Sequence, residues 1–347
     1  MSQGGEIKSF FSIKPKVYQK KEAVKLRIDG IHTSTIGSFP LEDSPESRAR
    51  CMDDMIRVGI DLPNYPQLIE MGEQFLEDLI TWGTGIVKRG SRYWLEGEKI
   101  EKAQLPPGLE PYLWTVKYLK ERGLLGRIKL KACITGPFTL ASYINIKEGF
   151  FPYNTAISDA ERIRELVEIL AMACERMSNS ASVISIDEPL LGVVVGRSIP
   201  FSYDGEFIIK VYNRLKGACG DSFVGTHICG RISPLLADIL LETELDFISH
   251  EFHDTQSNFN VYDPERFRDS GKVMAVGCVS TKNPKIESVD EILNIARRAM
   301  ERFGRDLILT PDCGFRNMIV EGSREKGYTI SVRKLVNLVK ASSKLKG

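Results

Sequence analysis

Past residue 30 the chain alternates short continuous apolar runs with longer stretches whose apolar residues recur at three- and four-residue spacing. The runs predict strands at 32–36, 128–134, 182–187, 222–227, 246–250, 273–277 and 307–310, with a weaker one near 85–87 or 92–95. The helical spacing predicts helices over 47–58, 66–81, 111–122, 158–178, 204–216, 232–241, 288–303 and 330–344. Strands that are apolar throughout, each followed by a helix, indicate a parallel sheet covered by helices. Repeated around the chain, this unit predicts an α/β fold, a single closed (β/α)8 TIM barrel over residues 31–347 with an N-terminal extension. No low-complexity tract or Pro/Gly/Ser-rich hinge divides that stretch.

Residues 1–30 read differently. Lys8, Lys14, Lys16, Lys20, Lys21, Lys25 and Arg27 outnumber Glu6, Glu22 and Asp29, and apolar periodicity is weak. This predicts a basic arm, either laid over the domain or docking an acidic partner protein.

In such barrels the reacting groups sit where strands end and the following loops begin. Here nearly every strand runs into an unusual polar or small residue: Thr35-Ile36-Gly37-Ser38, Thr135-Gly136-Pro137, Asp187-Glu188-Pro189, His227-Ile228-Cys229-Gly230, His250-Glu251, Ser280-Thr281-Lys282 and Pro311-Asp312-Cys313-Gly314. A barrel without chemistry has no reason to place cysteine, histidine and carboxylates along one rim.

Composition narrows the chemistry. Lys and Arg number 47 against 46 Asp and Glu, a net charge of +1, which argues against a general nucleic-acid surface. No apolar run approaches the roughly 20 residues that span a bilayer, so no membrane partner is expected. The start of the chain lacks the apolar core of a secretory signal. The seven cysteines are scattered as Cys51, Cys133, Cys174, Cys219, Cys229, Cys278 and Cys313. They read as thiols of a reducing cytoplasm, where some are available as metal ligands. Only four histidines are present, and His227, His250 and His253 lie close together near Cys229.

His227 and Cys229 are two apart at a strand end, so their side chains point the same way, about 6–7 Å apart along the chain. An imidazole and a thiolate on one face make two legs of a zinc site. Alone the pair is a weak signal. Glu251 at the end of the next strand and Cys313 at the end of the last complete a set of two thiolates, one imidazole and one carboxylate. The carboxylate exchanges more readily than a thiolate, which suggests a zinc ion that accepts a substrate. Zinc carrying two thiolates activates water poorly but lowers the pKa of a bound thiol towards neutrality. The implied reaction is alkyl transfer to a thiol. No H-E-x-x-H helix is present, which disfavours protease chemistry. Cys133 and Cys174 read as core residues and Cys51 and Cys219 as helical; Cys278 is the one reserve ligand. His250 and His253 flank Glu251 and are candidates for contact behind the metal or substrate.

Together, Thr35-Ile36-Gly37-Ser38-Phe39-Pro40, Asp187-Glu188-Pro189, His227-x-Cys229, Glu251 and Pro311-Asp312-Cys313-Gly314 resemble the catalytic half of cobalamin-independent methionine synthase, over residues 32–340. The resemblance implies a zinc (β/α)8 barrel in which homocysteine binds zinc through sulfur and accepts a methyl group. It implies zinc ligands His227, Cys229, Glu251 and Cys313. It also implies that Ser38 and the backbone of Ile36 and Gly37 hold the amino acid's carboxylate, and Asp187 its ammonium, a charge-assisted contact that fixes a zwitterion. The loop bearing Met71 would complete the substrate site, with Tyr65 falling where the family places an amine-binding Glu.

The long plant and bacterial forms carry a further barrel, so the single-barrel pattern resembles the short core methionine synthases of archaea and some anaerobic bacteria. On the donor side, the family's folate-stacking indole falls at Tyr143, its acid carboxylate after Asp187-Glu188-Pro189 within Val193-Val194-Val195, and its histidine at Lys282. Glu188 and His253 stand beside these positions. A methyl group leaves a folate amine only when that nitrogen is protonated, which needs a general acid. A lysine, with an ordinary pKa near 10.4, is a poor one. A methyl on corrinoid cobalt needs no protonation. The expected donor is therefore a methylcobamide, presented as a loosely bound co-substrate by a corrinoid carrier protein that the basic arm would help dock. Two alternatives remain. A related corrinoid-linked zinc methyltransferase would act on another thiol such as coenzyme M, but resembles an H-x-C plus a distant Cys without the Glu. A non-catalytic zinc- or carrier-binding barrel would hold zinc and tolerate loss of Asp187.

Overall fold

The structure, a computed structural model, describes residues 26–346. The basic arm expected over 1–30 therefore lies almost wholly outside the described residues.

In chain order the elements are β1 (Ile31–Thr33), α1 (Pro45–Val58), α2 (Glu73–Thr81), β2 (Ile86–Arg89), β3 (Arg92–Leu95), α3 (Glu110–Glu121), β4 (Lys131–Thr135), α4 (Pro137–Tyr143), β5 (Ile144–Asn145), α5 (Ala160–Ser178), β6 (Val183–Asp187), α6 (Pro189–Val194), α7 (Gly205–Ala218), β7 (Phe223–Ile228), α8 (Pro234–Glu242), β8 (Phe247–Glu251), α9 (Pro264–Asp269), β9 (Val273–Val279), α10 (Val289–Phe303), β10 (Leu307–Pro311) and α11 (Arg324–Lys346). Seven strands pair in parallel in the order β1-β10-β9-β8-β7-β6-β4. The gap between β1 and β4 is bridged by residues 62–65. Leu62 N donates to Thr33 O, Lys131 N to Pro63 O and Tyr65 N to Lys131 O, at 2.9, 2.9 and 3.1 Å, with parallel bridges Ser34–Leu62 and Asn64–Lys131. This irregular eighth strand closes the barrel.

The seven other barrel strands lie where the apolar runs placed them, but the expected weak strand does not. Residues 86–89 and 92–95 form a hairpin that joins β5 in a separate three-stranded sheet. The true second strand, Leu62-Pro63-Asn64-Tyr65, is short and interrupted by proline, so it shows no strand pattern. The helical spacing over 66–81 starts earlier than the helix itself: α2 begins at Glu73. The short helices α4, α6 and α9 have only one or two turns each, too few to show a helical repeat in the sequence. Each begins with a proline, whose fixed φ and missing N–H suit the first helical position.

Side-chain alternation divides each strand cleanly. Val183, Phe223, Phe247, Ala275 and Ile308 face inwards and plug the barrel's N-terminal end with Ile28 and Leu62; Phe223 and Phe247 stack at 5.5 Å. By the same parity Ser185, Asp187, Gly225, His227, Ser249, Glu251 and Thr310 face inwards nearer the C-terminal end. The opposite parity, including Ile184, Ile186, Val224, Ile228, Ile248, Val276, Leu307 and Leu309, packs under the helices in the main core. Apolar burial therefore holds the outer layer, and the inner upper layer is left free for polar groups. Helix ends are capped locally. Ser288 and Glu291 form a reciprocal capping box on α10, and Asp159 accepts the Glu161 and Arg162 N–H groups of α5.

The longest helix is tied to the rim by a fully buried ion pair. Lys334 Nζ of α11 lies 2.9 and 3.0 Å from the two Glu287 oxygens, and Glu287 also accepts Ser280 N at 3.1 Å. Removing one partner strands a buried charge, at a cost of about 3–5 kcal/mol. Lys334→Met is expected to lose that much stability in urea unfolding, and Lys334→Met with Glu287→Leu distinctly less. Equal losses in the single and double variants would contradict this account.

Candidate active site and metal centre

The inward parity of β7 carries His227 to the barrel's C-terminal mouth, and Cys229 follows on the same face just beyond the strand. Cys313 arrives two residues past β10. His227 Nε2 lies 3.1 Å from Cys229 Sγ, and Cys229 Sγ lies 3.1 Å from Cys313 Sγ. The three candidate ligand atoms all fall within 4.8 Å of one another. Ser249 Oγ meets the other ring nitrogen, Nδ1, at 3.0 Å, which fixes the ring and leaves Nε2 aimed at the thiols. The pair shares its protons unequally. Its bond to Cys313, then burial, pushes the Cys229 thiol well above the usual range. The hydrogen bonds from Cys229 and His227 hold Cys313 well below it, against burial. Burial lowers His227, but the Cys313 contact outweighs it and the ring's pKa is raised. One nitrogen and two sulfurs suit zinc. Bonds of about 2.0 Å to nitrogen and 2.3 Å to sulfur put tetrahedral ligand atoms about 3.5–3.8 Å apart, a sub-ångström spreading of this cluster.

Glu251 is 1% exposed and lies outside that tight cluster. Its Oε2 accepts from Lys282 Nζ at 2.9 Å and from Thr255 Oγ1 at 3.0 Å. Cys278, the reserve ligand, has the outward parity. It is fully buried, lies in β9 and donates to Val276 O. His250 also faces outwards, between Ile228 O and the Tyr262 hydroxyl, and burial lowers its pKa to about 3. His253 contacts Asp254 Oδ1 at 2.8 Å and stands 3.6 Å from Glu287. It forms a second acidic group with Asp254 and Asp312. Asp312 is occupied there, accepting the Phe252, His253 and Asp254 N–H groups, and so clamps the loop after Glu251 beside Cys313.

The Thr35–Ser38 loop packs directly on the Cys313 loop. A Cβ on Gly314 would lie 2.0 Å from Ser38 Oγ, so glycine there is what lets the two loops touch. Phe315 N donates to Ser38 O at 2.9 Å. Gly37 has φ +133°, and a Cβ there would meet Asn64 and Gln67 at 2.2 and 2.3 Å; the turn needs glycine twice over. Asp187 is buried at the end of β6 and accepts from Ser185 Oγ at 2.5 Å. Burial raises its pKa, while His227 and Lys131 pull it back. Glu188 points elsewhere. It accepts the Phe138 and Thr139 N–H groups and the Thr139 hydroxyl at the start of α4, and burial raises its pKa to about 8.

Tyr65 is a core phenol. It donates to Cys133 O and accepts from Gln67 and Gln74. Met71 O accepts from Thr135 Oγ1. The acid in this loop is Glu70, which the sequence reading missed. It accepts the Tyr143 hydroxyl at 2.9 Å and the Gly72 and Glu73 N–H groups. Glu70 and Tyr143 line a cavity of about 650 Å³ with Arg92, Tyr93, Phe150 and Asn154. The hairpin displaced from the barrel forms one of its walls. Nothing local in the sequence placed that hairpin against the loop after β4.

The family described as "Cobalamin-independent synthase, Catalytic domain" matches residues 101–341. Among curated proteins, a methionine synthase of Methanothermobacter marburgensis is 29% identical over 95% of this chain and 96% of its own length. One of Methanocaldococcus jannaschii is 23% identical over 90% and 99%. A solved B12-independent methionine synthase from Shewanella sp. W3-18-1, in complex with selenomethionine, shares the fold at TM-score 0.64 and 18% identity, covering 92% of this chain and 98% of that one. The family match runs from before α3 into α11, with the His227, Cys229 and Cys313 cluster at the mouth of the strands it contains: the chain belongs to the cobalamin-independent methionine synthase family of methyltransferases.

Proposed function

We propose that this enzyme methylates the thiol of L-homocysteine to give L-methionine, at a zinc ion held by His227, Cys229, Cys313 and Glu251, with a methylated corrinoid as donor. The observation that carries the reading is the convergence of His227, Cys229 and Cys313 at one point of the barrel mouth. Bound there, zinc would supply the positive charge that keeps a substrate thiol deprotonated near neutral pH. Glu251 is the exchangeable ligand, its carboxylate held by Lys282 and Thr255 when it is not on the metal.

The protein's own groups orient the amino acid. The Ile36–Gly37 backbone and Ser38 receive its carboxylate, and Asp187 its ammonium, beside the thiols. Met71 frames the same pocket from the next loop, and Glu70 is a further carboxylate within reach of the donor side. On that side the positions expected to supply an acid for a folate amine are replaced or engaged. Lys282 is paired with Glu251, Glu188 is occupied at α4, and Val193–Val195 replace an acid. A corrinoid donor is supported by this lack, because its leaving group needs no proton. Exposed Phe150, Phe151, Tyr153 and Ile319 on loops, with Val193 on α6, follow the C-terminal ends of barrel strands and support a carrier protein as the partner that presents the donor. The reduced thiols suit a cytoplasmic enzyme, and no helix among the described residues is long and apolar enough to cross a membrane.

The test is a thiol comparison with methylcobamide as donor. Homocysteine should be methylated at least about 100-fold more efficiently than coenzyme M, close to 2.7 kcal/mol of discrimination. Asp187→Asn should raise the homocysteine KM by roughly 10- to 100-fold, as loss of a charged hydrogen bond predicts. Preference for coenzyme M, or an Asp187→Asn enzyme indifferent to homocysteine concentration, would refute the assignment.

A further inference from the structure

Lys131 lies on the inward face of β4, 3% exposed, in the centre of the barrel. Among the described residues it forms no ion pair, and its Nζ donates to Thr35 O at 2.8 Å. Around it the barrel is tightly filled: Lys131, Ser34, Ser249 and Thr310 line a cavity of only about 10 Å³. A buried ammonium costs several kcal/mol in desolvation. An apolar side chain at this position would fill the barrel more cheaply, so the charge calls for a role.

Its neighbour in the same parity, Cys133, sits under the next peptide. Cys133 Sγ lies 3.2 Å from Ile36 O and 3.1 Å from Asn64 Oδ1 and also bonds to Asp187; burial raises its pKa, and its single S–H proton serves one of these acceptors at a time. Lys131 and Cys133 therefore meet two successive carbonyls, those of Thr35 and Ile36, from inside the barrel. Both peptides are trans, and a trans peptide points its N–H opposite to its C=O. Drawing these carbonyls towards Lys131 and Cys133 turns the Ile36 and Gly37 N–H groups away from those two side chains.

We propose that Lys131, assisted by Cys133, is a positioning residue for substrate: it holds the Thr35–Ser38 loop by its carbonyls so that the loop's N–H groups face the carboxylate of the amino-acid substrate. The inference rests on the homocysteine reading above and adds to it a specificity element beneath the site. The same cation offsets burial at Asp187, so one buried charge serves both ends of the zwitterion.

The experiment uses the full chain loaded with Co²⁺, whose sulfur-to-cobalt absorption reports thiol binding without turnover. Homocysteine is compared with 2-mercaptoethanol, which has the thiol but neither carboxylate nor ammonium. Lys131→Met should bind homocysteine at least about tenfold more weakly, a factor equal to 1.4 kcal/mol, with unchanged mercaptoethanol affinity and metal content; Lys131→Arg should recover part of the loss. Cys133→Ala should show a smaller loss of the same selectivity, and it serves as the test if Lys131→Met fails to fold. Equal losses for both thiols, reduced metal content, or unaltered homocysteine binding would overturn the role of Lys131 alone. Wild-type enzyme that does not prefer homocysteine to mercaptoethanol would overturn the homocysteine reading, and this inference with it.

Discussion

Cys229→Ser and Cys313→Ser are each expected to abolish zinc binding at the proposed centre and to lower methionine formation by at least about 10³-fold, roughly 4 kcal/mol of transition-state stabilisation. A serine hydroxyl stays protonated near neutral pH and is a harder, weaker ligand for zinc than a thiolate. The two sulfurs also depend on each other: they are 3.1 Å apart, and hydrogen bonds from Cys229 and His227 lower the Cys313 pKa against burial. Removing either sulfur leaves two ligands from the tight cluster, with Glu251 paired to Lys282. The paired controls are Cys278→Ser and Cys51→Ser. Both thiols are buried away from the cluster, so these variants should keep one zinc per chain whatever stability they lose. Metal content by atomic absorption decides the matter. Full zinc occupancy in both site variants would sink the proposed centre.

Methylcobamide is expected to outperform methyl-tetrahydrofolate by about 10²- to 10⁴-fold, the usual worth of a positioned general acid. Folate chemistry requires a proton on the departing nitrogen, and Lys282, Glu188 and Asp312 are each otherwise engaged. The Lys282 ammonium is raised further above its ordinary range by its bond to Glu251, which makes it a still poorer acid. Glu188 is raised to about 8 by burial and would carry a proton at neutral pH. It faces three donors at the start of α4, not the thiols. Asp312, raised to about 6 by burial, accepts three backbone N–H groups. The assay runs purified, zinc-loaded enzyme with homocysteine and each donor in turn. Efficient turnover with methyl-tetrahydrofolate and none with methylcobamide would reverse the donor assignment.

Much of this architecture is legible in the chain because alternation is a local property. The apolar runs marked seven of the barrel strands, and counting by two from His227 already separates Cys229 from the residues that face the helices. The same parity rule explains why His250 and Cys278, which looked eligible by proximity, are core groups. The Asp187-Glu188-Pro189 and Thr135-Gly136-Pro137 motifs likewise announced strand ends, although the short helices they open were not seen.

What sequence patterns determined, then, was the fold class and the face on which each strand residue lies. Which of those residues meet was decided by closure of the barrel. The eighth strand, residues 62–65, carries no strand signature of its own; it is held between β1 and β4 because their open edges need partners. Its placement sends Tyr65 into the core and leaves Glu70, five residues later, as the acid beside Tyr143. Cys229 and Cys313 are 84 residues apart and Lys131 and Thr35 are 96 apart. Periodicity reports how a side chain points relative to its own backbone. Contacts across such separations depend on the ring of strands closing as a whole, and only the tertiary structure carries that information.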